Sequence, residues 1–256
     1  MIRGLYTSAM GMATQKANLD VVANNIANAN TNGFRGATAY NSSFPEMLMN
    51  RLHAEPGHPT EKIIPIGGVG HGVTMAGVHT NFAQGPLELT HGEFDVAIAG
   101  QGFFAVESNI GGTPTRMFTR NGAFTITPER ILVNHNGDRI LDTNGNPITI
   151  PDGTMVIEAS GQITVNEVVI ATLGVTNFDD PTQLRQHGYT LFAQHTATEI
   201  PFEGAIEQGF LERSNVNITR EMVNMINISR AFELNQRMVG IQDQTLQQAV
   251  NEIARR

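Results

Sequence analysis

The chain has 256 residues, a formal net charge of −8, 40 % hydrophobic residues and no cysteine. An acidic surface repels phosphates and argues against nucleic acid as a partner. Without cysteine there is no disulfide, thiol nucleophile or thiolate metal site, and 256 residues are enough to bury a real core.

Residues 3–29 predict a helix. No proline occurs before Pro45 and no glycine falls between Gly11 and Gly33, so the strongest helix breakers are missing. At heptad spacing the series Ile2, Leu5, Ala9, Met12, Lys16, Leu19, Ala23 and Ile26 is apolar except for Lys16. A 3-4 repeat of this kind lays one apolar stripe along a helix and favours coiled-coil packing. Val22 adds to the apolar surface. The helix is expected to end at Asn30-Thr31-Asn32-Gly33, where Asn or Gly can adopt the left-handed conformation. Asn24, Asn25 and Asn28 near that end have two readings, a fraying last turn or hydrogen bonds across a helix interface.

Residues 34–80 read as an extended connector, with Pro45, Pro56, Pro59 and Pro65 before Gly67-Gly68-Val69-Gly70-His71-Gly72. Residues 81–205 carry the β signature. Alternating and apolar runs such as Phe94–Ala99 and Phe103–Val106 are separated by turns, and Asn121-Gly122, Asn136-Gly137 and Asn144-Gly145 predict tight hairpin turns. Short strands with frequent turns imply an antiparallel sandwich or partly closed barrel.

The last helix is expected from Asn217 or Thr219, either of which can cap it, to about residue 253, with Gly240 as its one soft spot. Its heptad series is Ile218, Met222, Met225, Ser229, Phe232, Gln236, Val239, Asp243, Leu246, Val250 and Ile253. A second apolar set, Val223, Ile226, Leu234, Met238 and Ile241, lies off that stripe. A helix apolar on more than one face needs more than one neighbour. The fold class expected is therefore α+β, with a discontinuous helical coiled-coil domain (1–33 plus 206–256), a connector (34–80) and a central β domain (81–205).

Tests for chemistry are negative. The eight histidines are dispersed, and none forms His-Glu-x-x-His. There is no Gly-x-Ser-x-Gly elbow and no phosphate loop ending in Gly-Lys-Ser/Thr. The glycines of 67–72 lack the following helix that a dinucleotide site requires. Asp142-x-Asn144-x-Asn146 opens like a calcium loop, but Pro147 stands at the glycine position and Gly153 where a glutamate belongs. No catalytic residue, cofactor or metal ligand is assigned. No stretch approaches the ~20 apolar residues of a membrane span, and polar residues interrupt the N-terminal region where a secretory signal would need an apolar core.

Three segments carry a resemblance. Leu19–Phe34, with Asn24, Asn25, Asn28, Thr31, Gly33 and Phe34, resembles the N-terminal signature of flagellar axial proteins, the rod and hook subunits. Asp95–Phe104, with Gly100, Gly102, Phe103 and Phe104, resembles a segment that those subunits share. Gly209–Asn217, with Ser214, Asn215 and Val216, followed by Glu221–Ile226, is similar to their C-terminal motif. The length suits a rod subunit, and the ending Gln248–Ile253 is most similar to the proximal-rod type, with the distal-rod type next. Position 35 is Arg where Lys is frequent in the family, a change that preserves the charge.

The resemblance implies a structural, non-enzymatic subunit of the flagellar basal body, outside the cytoplasmic membrane. It implies export through the flagellar type III apparatus without a cleaved signal. It further implies assembly with copies of itself and with other rod and hook subunits into a helical tube that transmits torque. The assembly interface expected on the terminal helices comprises Leu5, Met12, Leu19, Val22, Ile26, Met222, Met225, Ile226, Phe232, Val239, Leu246, Val250 and Ile253. A distal-rod or hook subunit is the near alternative. A soluble β-domain binding protein with helical oligomerisation arms is the distant one.

Overall fold

In the computed structural model, residues 2–44, 47–53, 62–70, 72–110 and 112–254 are described. Pro45, Pro56, Pro59, His58 and His71 lie outside the described residues, as do the side chains of Ile2, His53, Pro65 and Ile253. Two helices, α1 (Ile2–Ala27) and α2 (Ile218–Ala254), flank a mainly antiparallel β region. The chain divides into two compact units. One comprises Met1–Asn24, Ala37–His79 and Thr219–Arg256, the other Asn25–Gly36 and Thr80–Ile218.

The first unit contains most of α1, nearly all of α2 and four strands. The helices have 26 and 37 residues, about 39 and 55 Å at the standard rise of ~1.5 Å per residue. Gly240 does not interrupt α2. The segment expected as an extended connector carries β1 (Ala37–Ser43), β2 (Met47–His53), β3 (Lys62–Val69) and β4 (Val73–Thr80). β1 pairs with β4, and β2 with β3 in antiparallel register from Met47–Val69 to His53–Lys62. The Thr14 hydroxyl, on α1, donates to the backbone oxygen of Val73 at 2.7 Å, which ties the start of β4 to the helix.

The second unit holds β5 (Leu87–Leu89), β6 (Val96–Ala99), β7 (Phe103–Ile110), β8 (Thr113–Thr119), β9 (Phe124–Ile126), β10 (Leu132–Asn134), β11 (Arg139–Ile140), β12 (Met155–Ile157), β13 (Gln162–Val165), β14 (Val168–Thr172), β15 (Val175–Phe178), β16 (Arg185–His187), β17 (Leu191–Ala193), β18 (Glu199–Ile200), β19 (Ala205–Gln208) and β20 (Phe210–Glu212). Its main sheet has nine strands, with the path β16-β17-β8-β7-β11-β10-β9 and with β15 and β18 joined beside β7. Each end of that path pairs on one side only, so the sheet does not close into a barrel.

Both faces of this sheet are covered at Phe103-Phe104-Ala105-Val106, which explains why that run is apolar throughout rather than alternating. Phe104 and Val106 point into one cluster with Met117, Leu132 and Ile140. Phe103 and Ala105 point into the other with Phe118, Phe178 and Phe192. The first cluster also takes Met155, Ile157, Ile163 and Val165 from the three-stranded sheet β12-β13-β14. Each large apolar side chain buried in this way contributes roughly 1.5–3 kcal/mol.

Two of the three expected Asn-Gly turns form. Gly137 (φ +87°) reverses the chain between β10 and β11, and Gly145 (φ +85°) closes a turn bracketed by the Leu141–Pro147 bridge. There Asp142 Oδ1 accepts from the backbone N–H groups of Asn144 and Asn146, both at 2.8 Å, so the carboxylate is committed to the turn. Asn121-Gly122 does not make a hairpin. β8 pairs with β7 and β17, while β9 pairs with β10. Gly122 is there for close approach: a Cβ at this position would lie 1.6 Å from the backbone oxygen of Val96.

Candidate assembly face and buried clasp

Within the first unit α1 and α2 run antiparallel. A Cβ on Gly4 would lie 2.7 Å from the Gln242 amide, and one on Gly11 would lie 3.1 Å from the Asn235 amide. A cavity of about 240 Å³ continues the same order, with Asn18 and Val22 of α1 facing Glu221, Asn224 and Ile228 of α2. The Asn18 Oδ1 is buried and has no partner among the described residues. On α1 the row nearest α2 is therefore Gly4, Ser8, Gly11, Gln15, Asn18 and Val22, all half-buried or buried. On α2 the matching half-buried row is Glu221, Met225, Ile228, Phe232, Asn235, Val239, Gln242 and Leu246. Both rows keep the 3-4 spacing of facing helices.

This register shares only part of the heptad stripes read from the sequence. Met225, Phe232, Val239 and Leu246 stand in the α2 row, joined by Ile228, Asn235 and Gln242 rather than by Ser229, Gln236 and Asp243. On α1, Leu5, Met12, Leu19 and Ile26 are half-buried and Val22 is buried, whereas Ala9, Lys16 and Ala23 of the same series are exposed. Met222 and Val250 are exposed. The second apolar set, Val223, Ile226, Leu234, Met238 and Ile241, is 46 to 60 % exposed on the side of α2 turned away from that row.

Within the second unit the three sequence motifs converge although they lie far apart in the chain. Gly33 has φ +68°. Its N–H donates to the backbone oxygen of Glu212 at 2.8 Å. Past the turn, Arg35 is fully buried, with Nη1 2.7 Å from Glu212 Oε1 and donating to the Ala83 backbone oxygen at 2.8 Å. The other carboxylate oxygen of Glu212 meets Arg120 Nη1 at 3.2 Å. Arg120 Nη2 donates to the Gly100 backbone oxygen at 2.7 Å, and the Arg120 guanidinium lies over the Phe103 ring, 5.3 Å from its centroid. Glu212 also accepts from the Gly85 N–H at 2.8 Å.

One carboxylate thus holds two buried guanidiniums. Burial pushes the pKa of Arg35 below the usual value, with Glu212 opposing. Burial pushes Arg120 down to about 10; Glu212 opposes the shift and the neighbouring Arg35 adds to it.

The remaining motif residues complete this clasp. Asn215 accepts from the Gly36 N–H at 2.8 Å, and its amide donates to the backbone oxygens of Asn81 and Ala83, both at 2.8 Å. The Ser214 hydroxyl accepts from the Val216 N–H. Val216 packs where a Cβ on Gly36 would intrude. Phe34, Phe103 and Phe104 are buried. Gly102 (φ +148°) leaves room for the Phe202 ring. The Gln84 amide donates to Ile98 O and accepts from the Gly100 N–H, while β19 pairs with β6 and β20 with β5. Of the asparagines, Asn25 and Asn28 are buried and Asn24 is exposed; Asn28 Oδ1 accepts from the Thr31 hydroxyl.

Three family models match the chain. They are the flagellar basal-body rod FlgEFG protein C-terminal region at residues 207–252, the flagellar hook protein FlgE/F/G D1 domain at 97–167, and the flagella basal body rod protein at 5–35. The chain is 34 % identical over 237 residues to the flagellar basal-body rod protein FlgF of Caulobacter vibrioides, covering 91 % of this chain and 90 % of that one. The chain belongs to the flagellar basal-body rod protein family. The FlgG rod proteins of Borreliella burgdorferi (35 % identity, 96 % of this chain and 97 % of that one) and Agrobacterium fabrum (33 %, 95 % and 96 %) are similarly related. As a basal-body rod protein it is a structural part of the flagellum, outside the cytoplasmic membrane. No described helix is long and apolar enough to cross a membrane.

Each matched region of this rod protein contributes to the clasp: Gly33 and Arg35 lie in the match at 5–35, Gly100, Phe103 and Arg120 in that at 97–167, and Glu212 and Asn215 in that at 207–252. Sequence reasoning does not single out Glu212 or Arg120 as site residues. The available signal is a charge set among glycine and aromatic neighbours, in Gly209-Phe210-Leu211-Glu212 and in Phe118-Thr119-Arg120-Asn121-Gly122.

Proposed function

We propose that this rod subunit polymerises through α1 and α2 into the axial tube, while its β region is held rigid by the clasp around Glu212. The observation that carries the reading is the bulky apolar row on α2, Val223, Ile226, Leu234, Met238 and Ile241, left open to solvent in the single chain. Contiguous exposed apolar surface marks an interaction site. Contacts between copies that do not close on themselves generate helical filaments.

In this reading the terminal segments 1–33 and 206–256 form the assembly part, 34–80 links it to the β part, and 81–205 forms the body. The helices wind as a coiled coil, and the two sheets sharing the Phe104 cluster form a sandwich. The interface includes Leu5, Met12, Leu19, Val22, Ile26, Met222, Met225, Ile226, Phe232, Val239, Leu246, Val250 and Ile253. The family motif residues, gathered mainly at the clasp, hold the body together. The subunit is not an enzyme and has no cofactor. It leaves the cytoplasm through the flagellar export apparatus, and its partners are copies of itself and other rod and hook subunits. We assign it to the rod rather than the hook, and to the proximal rod on its C-terminal sequence.

Leu19→Asp and Met225→Asp test this reading. Each places a charge on a terminal helix, and burial of an unpaired charge costs several kcal/mol. Rod assembly and motility should be lost, while thermal unfolding of the β region stays at the wild-type temperature. Normal motility in both variants would contradict the assignment of the helices as the assembly part.

A further inference from the structure

We propose that the exposed apolar row of α2 is covered by the outer row of α1 from a second copy of this chain, with Arg230 of one copy paired to Asp20 of the other. The proposal rests on the reading that assembly proceeds through the terminal helices, and it names the two faces that meet.

The outer row of α1 is Tyr6, Ala9, Ala13, Lys16, Asp20 and Ala23, all exposed. The outer row of α2 is Val223, Ile226, Arg230, Leu234, Met238 and Ile241, also exposed. Large side chains on one helix meet a row on the other of which half is alanine, Ala9, Ala13 and Ala23, so knobs find room there without overpacking. The two rows carry opposite charges that can be brought opposite each other, Asp20 on α1 and Arg230 on α2.

The charges also select a direction. Antiparallel packing with Asp20 beside Arg230 sets Ile226 next to Ala23, Leu234 along the Lys16 stem and Ile241 on Ala9. It brings the Lys16 ammonium beside Glu233, a second compensated charge. Parallel packing about the same pair would instead put Ile226 on Lys16, Leu234 on Asn24 and Ala23 against Glu233. The antiparallel arrangement covers more apolar surface and sets fewer apolar side chains against polar ones. Within one chain the row of α1 nearest α2 is a different one, beginning Gly4, Ser8 and Gly11. The two contacts therefore use separate faces and can form together.

Mixing distinguishes a contact between copies from one within a chain. Full-length Asp20→Arg and Arg230→Asp chains are purified and sedimented across a concentration series, alone and in equal mixture. In each variant alone, like charges face each other across the contact, and the concentration needed for polymer should rise roughly tenfold or more. In the mixture the arginine introduced at position 20 of one chain meets the aspartate introduced at position 230 of the other. The native Asp20 and Arg230 that remain also pair, so polymer should return near the wild-type concentration. Recovery on mixing also shows that both variants are folded. Wild-type polymer with unaffected single variants, or with no recovery in the mixture, would overturn the pairing and leave the terminal-helix reading standing. Absence of wild-type polymer at every concentration would overturn both.

Discussion

Glu212→Gln should destabilise the β region by about 3–5 kcal/mol, because it removes one partner from a buried charge cluster and leaves the others uncompensated. Arg35, Glu212 and Arg120 are 0, 1 and 3 % exposed, so water cannot replace the lost carboxylate charge. The amide keeps the volume, which isolates charge from packing. Arg35→Lys is the matching control. Only Nη1 of Arg35 is engaged, by Glu212 and by Ala83 O, while Nε and Nη2 have no partner among the described residues. A lysine keeps a cation facing the same two acceptors and removes buried donors that have no partner, so this change should cost under about 1 kcal/mol. Denaturant unfolding of the three proteins checks the pair of expectations. Equal midpoints for Glu212→Gln and wild type would show that the cluster contributes little to stability.

Gly33→Ala should be comparably severe, for steric rather than electrostatic reasons. The residue sits at φ +68°, where a Cβ costs roughly 1–2 kcal/mol. That Cβ would also lie 2.3 Å from the backbone nitrogen of Asn121, which has no flexible end to move aside. Gly137→Ala separates the two causes. Gly137 has φ +87° but nothing within 4 Å of its would-be Cβ, so it bears the conformational cost alone. Gly33→Ala should therefore unfold at distinctly lower denaturant than Gly137→Ala. Equal losses would mean that the Gly33 turn yields without disturbing the Glu212 contact behind it.

The helices were legible because their signals are local. Missing prolines, sparse glycines and a 3-4 apolar repeat predicted 3–29 and about 217–253, against the observed Ile2–Ala27 and Ile218–Ala254. Which row faces the partner helix was not legible. Gly4, Gly11, Asn235 and Gln242 look like interruptions of an apolar pattern, yet they are where α1 and α2 meet. A pattern of apolar residues reveals surfaces that seek cover; it does not say which neighbour covers them, and on α2 the more apolar row is the one left open.

The turns divide in the same way. Asn136-Gly137 and Asn144-Gly145 turn because their glycines take positive φ locally. Asn121-Gly122 fails as a hairpin because Gly122 is held against Val96, a contact that depends on tertiary packing. The strands of 37–80 are not legible, although they run to seven or eight residues, because the Gly and Pro in and around them read as linker. The clasp was half visible. The family motifs marked Gly33, Gly102 and Asn215, but the Arg35–Glu212–Arg120 cluster joins residues far apart in sequence, and no spacing rule brings them together.

Electron cryomicroscopy of basal bodies purified from cells lacking this chain, compared with the same cells supplied with it, tests its structural role in the rod. Rods should be truncated without the chain and complete with it, with density for paired terminal helices in the axial wall and the β region outside them. Complete, functional rods in its absence would contradict a structural role in the rod.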